Sequence, residues 1–237
     1  MANNYFQFKE FRIDQSCCAM KVTTDASLFG AWIASQSLPA TAALDIGGGT
    51  GLLSLMLAQK NESRIDIVEI EQACFNQMKL NVESSIWKER IHCTLYDIVS
   101  FDKPSSYDII ISNPPFHQKQ LRSEREEVNL ARHGDELTLE KLFKKVDELI
   151  STEGIFFLLM PAYRDQETLS VAEKNEMHLY KKALVKQSPF HDAFRTMYAF
   201  SKKKSADPLT EEIAIKNKED AYTAAFIEYL KDYYLLL

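Results

Sequence analysis

The chain has 237 residues, 46% of them apolar and 26% charged, with a formal net charge of −6. That length fits one α/β domain with additions, or at most two small domains, and can bury a large core without staples, and the balance is that of an ordinary soluble globular protein. The acidic excess argues against a broadly basic nucleic-acid binder, although a binding face is local while net charge is a sum.

Residues 5–15 alternate, with Phe6, Phe8, Phe11 and Ile13 among polar neighbours, and predict a short strand pair. Thr23-Thr24-Asp25 then caps a helix that begins near Ala26. From residue 42 strands and helices alternate. Strands are expected at Ala42–Ile46, Ile65–Ile70, Ile91–Tyr96, Tyr107–Ser112 and Gly154–Met160. Helices are expected over about residues 52–59, 72–84 and, after the cap Thr138, to about Leu149. Buried apolar runs separated by helices indicate a mostly parallel sheet covered on both faces. Leu179–Lys186 and Arg195–Ser201, joined around Pro189, read as an antiparallel hairpin at the sheet edge. A last, aromatic helix is expected over about Ala221–Tyr234, its rings serving core packing. Residues 1–38 are expected to belong to the same unit as residues 39–237, giving a single domain.

Three groups of cations are candidate local faces: Lys202-Lys203-Lys204; Lys181 and Lys182 with Lys186; and Lys119, Arg122, Arg125 and Arg132. The plainer reading of each taken singly is a solvated surface. The cysteines, Cys17, Cys18, Cys74 and Cys93, form no C-x-x-C pair and have no histidine at metal spacing, so no metal is expected. The N-terminus has no basic stretch followed by an apolar run, and no segment reaches the roughly 18 apolar residues of a membrane span. A cytoplasmic protein without a membrane partner is expected, and a monomer is favoured.

The strongest motif is Asp45-Ile46-Gly47-Gly48-Gly49-Thr50-Gly51, which holds four of the seven glycines between a strand and a helix. Glycine permits a tight turn and close approach of a ligand to the backbone. The spacing Gly47, Gly49, Gly51 departs from the G-x-G-x-x-G of dinucleotide folds, since position 52 is Leu. Asp45 ahead of the glycines suits a cationic ligand such as S-adenosylmethionine, which carries an ammonium and a sulfonium. Glu69 ends the second strand, where an acid accepts from ribose hydroxyls. Asp97 ends the third and can accept from an adenine amine, with Ile98 beside it to pack on the ring.

The fourth strand runs into Ser112-Asn113-Pro114-Pro115-Phe116. Consecutive prolines stiffen the segment and force the residue before them to be extended. The Asn113 side-chain oxygen and the Pro114 carbonyl can then both accept from one planar NH2 group. That would aim its nitrogen at a methyl sulfonium without a separate base, by orientation and electrostatics. Phe116 offers a ring on which an extruded base can stack.

These motifs in this order resemble class I methyltransferases of the amino-methylating type. The resemblance implies a Rossmann-like α/β fold with a seven-stranded, mostly parallel sheet and one antiparallel strand, and S-adenosylmethionine as cofactor. Phe8-Lys9-Glu10-Phe11-Arg12-Ile13, Cys18-Ala19-Met20-Lys21-Val22-Thr23-Thr24-Asp25, Leu28-Phe29-Gly30-Ala31-Trp32 and Ala131-Arg132-His133 narrow it. They are similar to the bacterial tRNA1(Val) adenine-N6 methyltransferase family, which modifies the adenine 3′ of the anticodon in a valine tRNA. Carried over residue by residue, Asn113, Pro114, Pro115 and Phe116 would bind the target adenine. Asp45, Gly47, Gly49, Gly51, Glu69, Asp97 and Ile98 would hold the cofactor, with Lys21 and Thr24 at its methionine end. Gly48 stands where Thr or Cys is more usual in the family, and Phe116 where Tyr is common.

Two other amino methyltransferases present the same pocket to a planar NH2, those of rRNA guanine-N2 and of protein glutamine-N5. A nicotinamide-dependent oxidoreductase is the alternative of another class. The glycine spacing counts against it, as does the lack of an evident catalytic Tyr-x-x-x-Lys or histidine site.

Overall fold

The computed structural model describes residues 3–18, 20–102, 106–115 and 137–237. The expected stacking ring of Phe116, the cations Lys119, Arg122, Arg125 and Arg132, and Ala131-Arg132-His133 lie outside the described residues.

The N-terminal strand pair is β1, Tyr5–Gln7, against β2, Arg12–Asp14. Helix α1, Thr24–Ser35, starts where Thr23 accepts from the Ala26 amide. Then follow β3 (Ala42–Ile46), α2 (Leu52–Ala58), β4 (Arg64–Glu69), α3 (Gln72–Glu83), β5 (Ile91–Leu95) and β6 (Tyr107–Ser112). After the undescribed stretch come α4 (Leu139–Leu149), β7 (Ile150–Pro161), α5 (Asp165–Lys174), β8 (His178–Lys186), β9 (Ala193–Ser201), β10 (Leu209–Ala214) and α6 (Ala224–Leu230).

The main sheet has the order β10-β8-β9-β7-β6-β3-β4-β5, with only β9 antiparallel to its neighbours. Among the described residues the sheet thus has eight strands, not the expected seven. The added strand is β10, which pairs parallel to β8 from Leu209↔Lys181 to Ala214↔Lys186. Only Ile213 of its six residues is buried, so its sequence reads as loop, and hydrogen bonding to a neighbouring strand makes it a strand. The expected hairpin is present, but β9 inserts between β7 and β8, and β10 covers the edge the hairpin was expected to form. The last helix is also shorter than expected: the Thr223 cap starts it at Ala224 and it ends at Leu230.

Period-2 alternation splits the core between the two faces of the sheet. Phe157 and Leu159 of β7 face α1, α2 and α6, whereas Phe156, Leu158 and Met160 face α4 and α5. Helix α4 buries Leu139, Leu142, Phe143, Val146 and Leu149, the spacing of a single apolar stripe. Among the described residues no helix is long and apolar enough to cross a membrane.

The strand pair is fastened to this sheet from two sides. The Lys9 amide donates to the Tyr233 carbonyl at 2.8 Å. On α3, the buried Asn81 accepts from the Asp14 amide at 3.0 Å and donates to the carbonyls of Asp14 and Thr50, each at 2.9 Å. One side chain therefore joins the N-terminal segment to the glycine loop.

Candidate active site

Strands β3, β4, β5 and β6 run parallel, so the segments leaving them gather at one edge of the sheet, the usual ligand edge of open α/β folds. The turn from β3 into α2 takes left-handed backbone at Gly47, Gly49 and Gly51, with φ of 74°, 56° and 82°. A Cβ built on Gly47 would meet nothing within 4 Å, and one on Gly49 only the Gly47 carbonyl at 3.9 Å. Those two glycines border open space. Gly48 does the opposite: a Cβ there would lie 2.1 Å from Cγ2 of Ile67 and 2.8 Å from Sδ of Met78. A side chain at this position would therefore collide with the packing around it.

Asp45 is 1% exposed. Ser54 of α2 donates to its Oδ2 at 2.7 Å, while Oδ1 has no hydrogen-bond partner among the described residues. Burial pushes its carboxyl up to about 6; the Ser54 hydrogen bond opposes the rise and the Glu69 charge adds to it. A buried carboxylate with one open oxygen is costly unless a cation or donor completes it.

Glu69 is also buried. Its Oε2 accepts from the Gly49 amide at 2.9 Å, and its Oε1 from the amides of Ile70 and Glu71 at 2.9 and 2.8 Å. A carboxylate offers about four acceptor directions, so roughly one remains, on Oε2, for a ribose hydroxyl. The same side chain shapes the glycine loop. Asp97 stands two residues past β5 and caps the short turn Ile98–Ser100, accepting from the Val99 amide at 2.9 Å. Ile98 is 6% exposed and belongs to the core on the α4 side. Lys21 is exposed, and Thr24 is the exposed first residue of α1. The segment before them reaches the loop through Cys18, whose Sγ lies 3.7 Å from the Gly49 carbonyl. A hydrogen bond with Cys74, together with burial, pushes the Cys18 thiol well above its usual range, so it stays neutral.

Across the β3–β6 pairing, Ile46 stands opposite Ser112, so Asn113 emerges beside the start of the glycine loop. The Ser112 hydroxyl donates to the Ile46 carbonyl at 3.1 Å and locks the two strand ends together. Asn113 and Pro114 are half-buried and Pro115 is exposed. The Oδ1 of Asn113 is buried and has no partner among the described residues. The edge thus brings together an unpartnered carboxylate oxygen, an open glycine cradle and an unpartnered amide oxygen. That set fits a cationic methyl donor lying over the loop and an NH2 acceptor beside it.

The sequence reading missed Ser54, Asn81 and Cys18 as supports of the site. Ser54 had a signal, a lone hydroxyl in the otherwise apolar helix Leu52–Ala58. Of the described cations in the candidate faces, five are paired with acids. Lys181 and Lys186 pair with Glu211 and Glu212 at 3.0 and 2.8 Å, and Lys182 with Asp165 at 3.1 Å. Lys202 pairs with Asp147 at 3.0 Å and Lys203 with Glu153 at 2.5 Å.

Residues 24–136 match the family of the methyltransferase small domain. A tRNA1(Val) (adenine(37)-N6)-methyltransferase of Phocaeicola vulgatus is 36% identical over 236 residues, 99% of each chain. Its counterpart from Dyadobacter fermentans is 39% identical over 98% of each chain. The chain belongs to the tRNA1(Val) (adenine(37)-N6)-methyltransferase family. It is an S-adenosylmethionine-dependent methyltransferase. Solved structures share the fold. A predicted O-methyltransferase from Agrobacterium tumefaciens superposes with a TM-score of 0.67 at 16% identity, covering 87% of this chain and 95% of that one. A glycopeptide N-methyltransferase complexed with S-adenosylmethionine gives 0.58 at 8% identity, over 79% of this chain and 97% of that one.

Proposed function

We propose that this methyltransferase transfers a methyl group to the N6 amine of an adenine in tRNA, at the position 3′ of the anticodon in a valine tRNA. The observation that carries the reading is the buried, unpartnered Oδ1 of Asn113 at the end of β6, beside the open glycine loop. Family membership supplies the RNA, since the curated relatives are named for adenine 37 of that tRNA. When bound, S-adenosylmethionine supplies an electrophilic methyl on a sulfonium.

The roles of the chain's own residues follow from their chemistry. Asp45 Oδ1 accepts from the cofactor's ammonium, and Glu69 Oε2 and Asp97 from its ribose and adenine. Gly47 and Gly49 leave the space in which it lies. Asn113 Oδ1 and the Pro114 carbonyl accept the two N–H bonds of the adenine amine. This holds the nitrogen in one orientation and increases its electron density, so attack needs no prior deprotonation. The proton leaves once the nitrogen has become positive. Phe116, next along the sequence, carries the kind of ring on which an extruded base stacks.

The decisive experiment is methyl transfer from labelled S-adenosylmethionine to tRNA lacking the modification, followed by nucleoside analysis. Label in N6-methyladenosine of a valine tRNA is the expected result. Label in guanosine would move the chain to the guanine-N2 class. An unlabelled tRNA pool with cofactor still bound would overturn the RNA assignment.

A further inference from the structure

The edge that carries Asn113 continues outward past β6 through β7, β9, β8 and β10. Strands β7, β8 and β10 share the direction of β6, so the segments leaving them emerge on the same edge as the acceptor pocket. Tyr163 follows β7 by two residues and is 67% exposed. Phe190 stands in the β8–β9 turn and is 78% exposed. The loop after β10 carries Lys216 and Lys218. Between that loop and the turn lies an open cleft of about 310 Å³, lined by Phe190, His191, Lys216, Lys218 and Asp220 among others.

The cleft is preformed. Ser188 is buried; its Oγ bonds Nδ1 of His191 at 2.7 Å and accepts from the Phe190 amide at 3.4 Å. The amides of Ile215 and Lys216 donate to the carbonyls of Lys186 and Gln187 at 2.9 and 3.0 Å, which fixes loop against turn. Asn217 Oδ1 holds the loop itself, accepting from the amides of Glu219 and Ala221 at 3.0 Å. An exposed ring is thus held on a rigid wall opposite two lysines.

We infer that this cleft is a second RNA subsite, in which an unpaired nucleotide three or four positions along the strand from the target adenine stacks its base on Phe190 and sets its phosphate against Lys216 and Lys218. Tyr163 supports the strand between the two sites. The inference rests on the RNA substrate proposed above. Unpaired bases stacked on exposed aromatic rings are the common mode of single-stranded RNA recognition. Neighbouring strands are about 4.8 Å apart, so the β8–β9 turn lies roughly 10–15 Å from the end of β6. A stacked strand advancing about 3.4 Å per nucleotide covers that span in three or four nucleotides. Lys216 pairs with Asp220 at 2.7 Å, the side chains 30% and 83% exposed, and Lys218 with Glu219 at 3.6 Å, the side chains 72% and 61% exposed. Exposed pairs of this kind contribute little, so a phosphate can replace the carboxylates.

The test compares Phe190→Ala, Phe190→Trp and Lys216→Ala/Lys218→Ala with the wild-type enzyme in steady-state methylation of unmodified tRNA. Binding of a seven-nucleotide single-stranded RNA carrying 2-aminopurine is measured in parallel. Phe190→Ala is expected to raise the KM for tRNA about tenfold or more, with kcat changed far less, and Phe190→Trp to restore it. The double lysine variant is expected to flatten the dependence of log Kd on log salt by about one to two units. Circular dichroism and S-adenosylmethionine titration report whether each variant is folded. An inert wild-type enzyme on tRNA would overturn the substrate reading, and the heptamer then still tests the cleft. Heptamer affinity and tRNA KM both equal to wild type in folded Phe190→Ala would overturn the subsite.

Discussion

The two ends of the sheet treat charge in opposite ways. At the β3–β4–β6 end the acids are buried: Asp45 keeps an oxygen without a partner, and Glu69 spends its carboxylate on backbone amides of the loop it shapes. At the β8–β10 end every acid of the edge strand meets a cation. Glu211 pairs with Lys181 at 3.0 Å and accepts from the indole of Trp32 at 2.6 Å, and Glu212 pairs with Lys186 at 2.8 Å. The acids of β10 are thus completed by the fold itself, whereas the open oxygens of Asp45 and Asn113 lie together at one end, where a ligand can complete them.

The largest test of this contrast is Asn113→Ala. Methyl transfer is expected to fall by about 10²–10³-fold, the usual cost of losing one preorganised hydrogen-bonding group, while cofactor affinity stays close to wild type. Single-turnover rates together with calorimetric cofactor titration check it. Equal losses in both would remove Asn113 from the acceptor pocket.

Asp45→Asn separates stability from function. The folded carboxyl titrates at about 6, above its ordinary 3.8, so ionised Asp45 weakens the empty fold. That rise corresponds to about 3 kcal/mol, retained below pH 3.8 and lost as pH climbs through 6. The asparagine variant is expected to melt several degrees higher at pH 7 without cofactor, at about 2–4 °C per kcal/mol. It is also expected to bind S-adenosylmethionine far more weakly. In the wild type, cofactor affinity is expected to decline as pH drops below about 6, because the protonated carboxyl no longer attracts an ammonium. A flat affinity profile between pH 5 and 8 would separate Asp45 from the ammonium.

Gly48→Ala probes the packed side of the loop. The clash with Ile67 and Met78 is expected to cost about 1–3 kcal/mol, seen as a lower denaturation midpoint. Combining it with Ile67→Ala is expected to give a coupling energy well away from additivity, measurable in a double-mutant cycle. At the distal edge, Glu211→Ala strips the Trp32 indole of its acceptor and Lys181 of its partner. A stability loss of about 1–3 kcal/mol is expected there, without a matching loss in the methyl-transfer rate per folded molecule.

The sequence by itself determined the alternation of elements and the order of the motifs. The loop Gly47–Gly51, the acids Glu69 and Asp97 and the stiff Asn113-Pro114-Pro115 segment are local patterns, fixed by backbone sterics and period. The α4 stripe and the apolar β7 run were equally legible, because burial on a regular element repeats at 3.6 or 2 residues. Tertiary structure alone decided what local pattern does not encode. Strand β10 is a strand because its backbone pairs with β8, a pairing between segments some thirty residues apart to which the Glu211–Lys181 and Glu212–Lys186 ion pairs add. Asn81 joins Asp14 to Thr50 across stretches of 67 and 31 residues. The open oxygens of Asp45 and Asn113 become a single site only when the β3–β6 register brings their strands side by side. Partners distant in sequence leave no periodic trace, and whether a polar atom is satisfied depends on all of its neighbours at once.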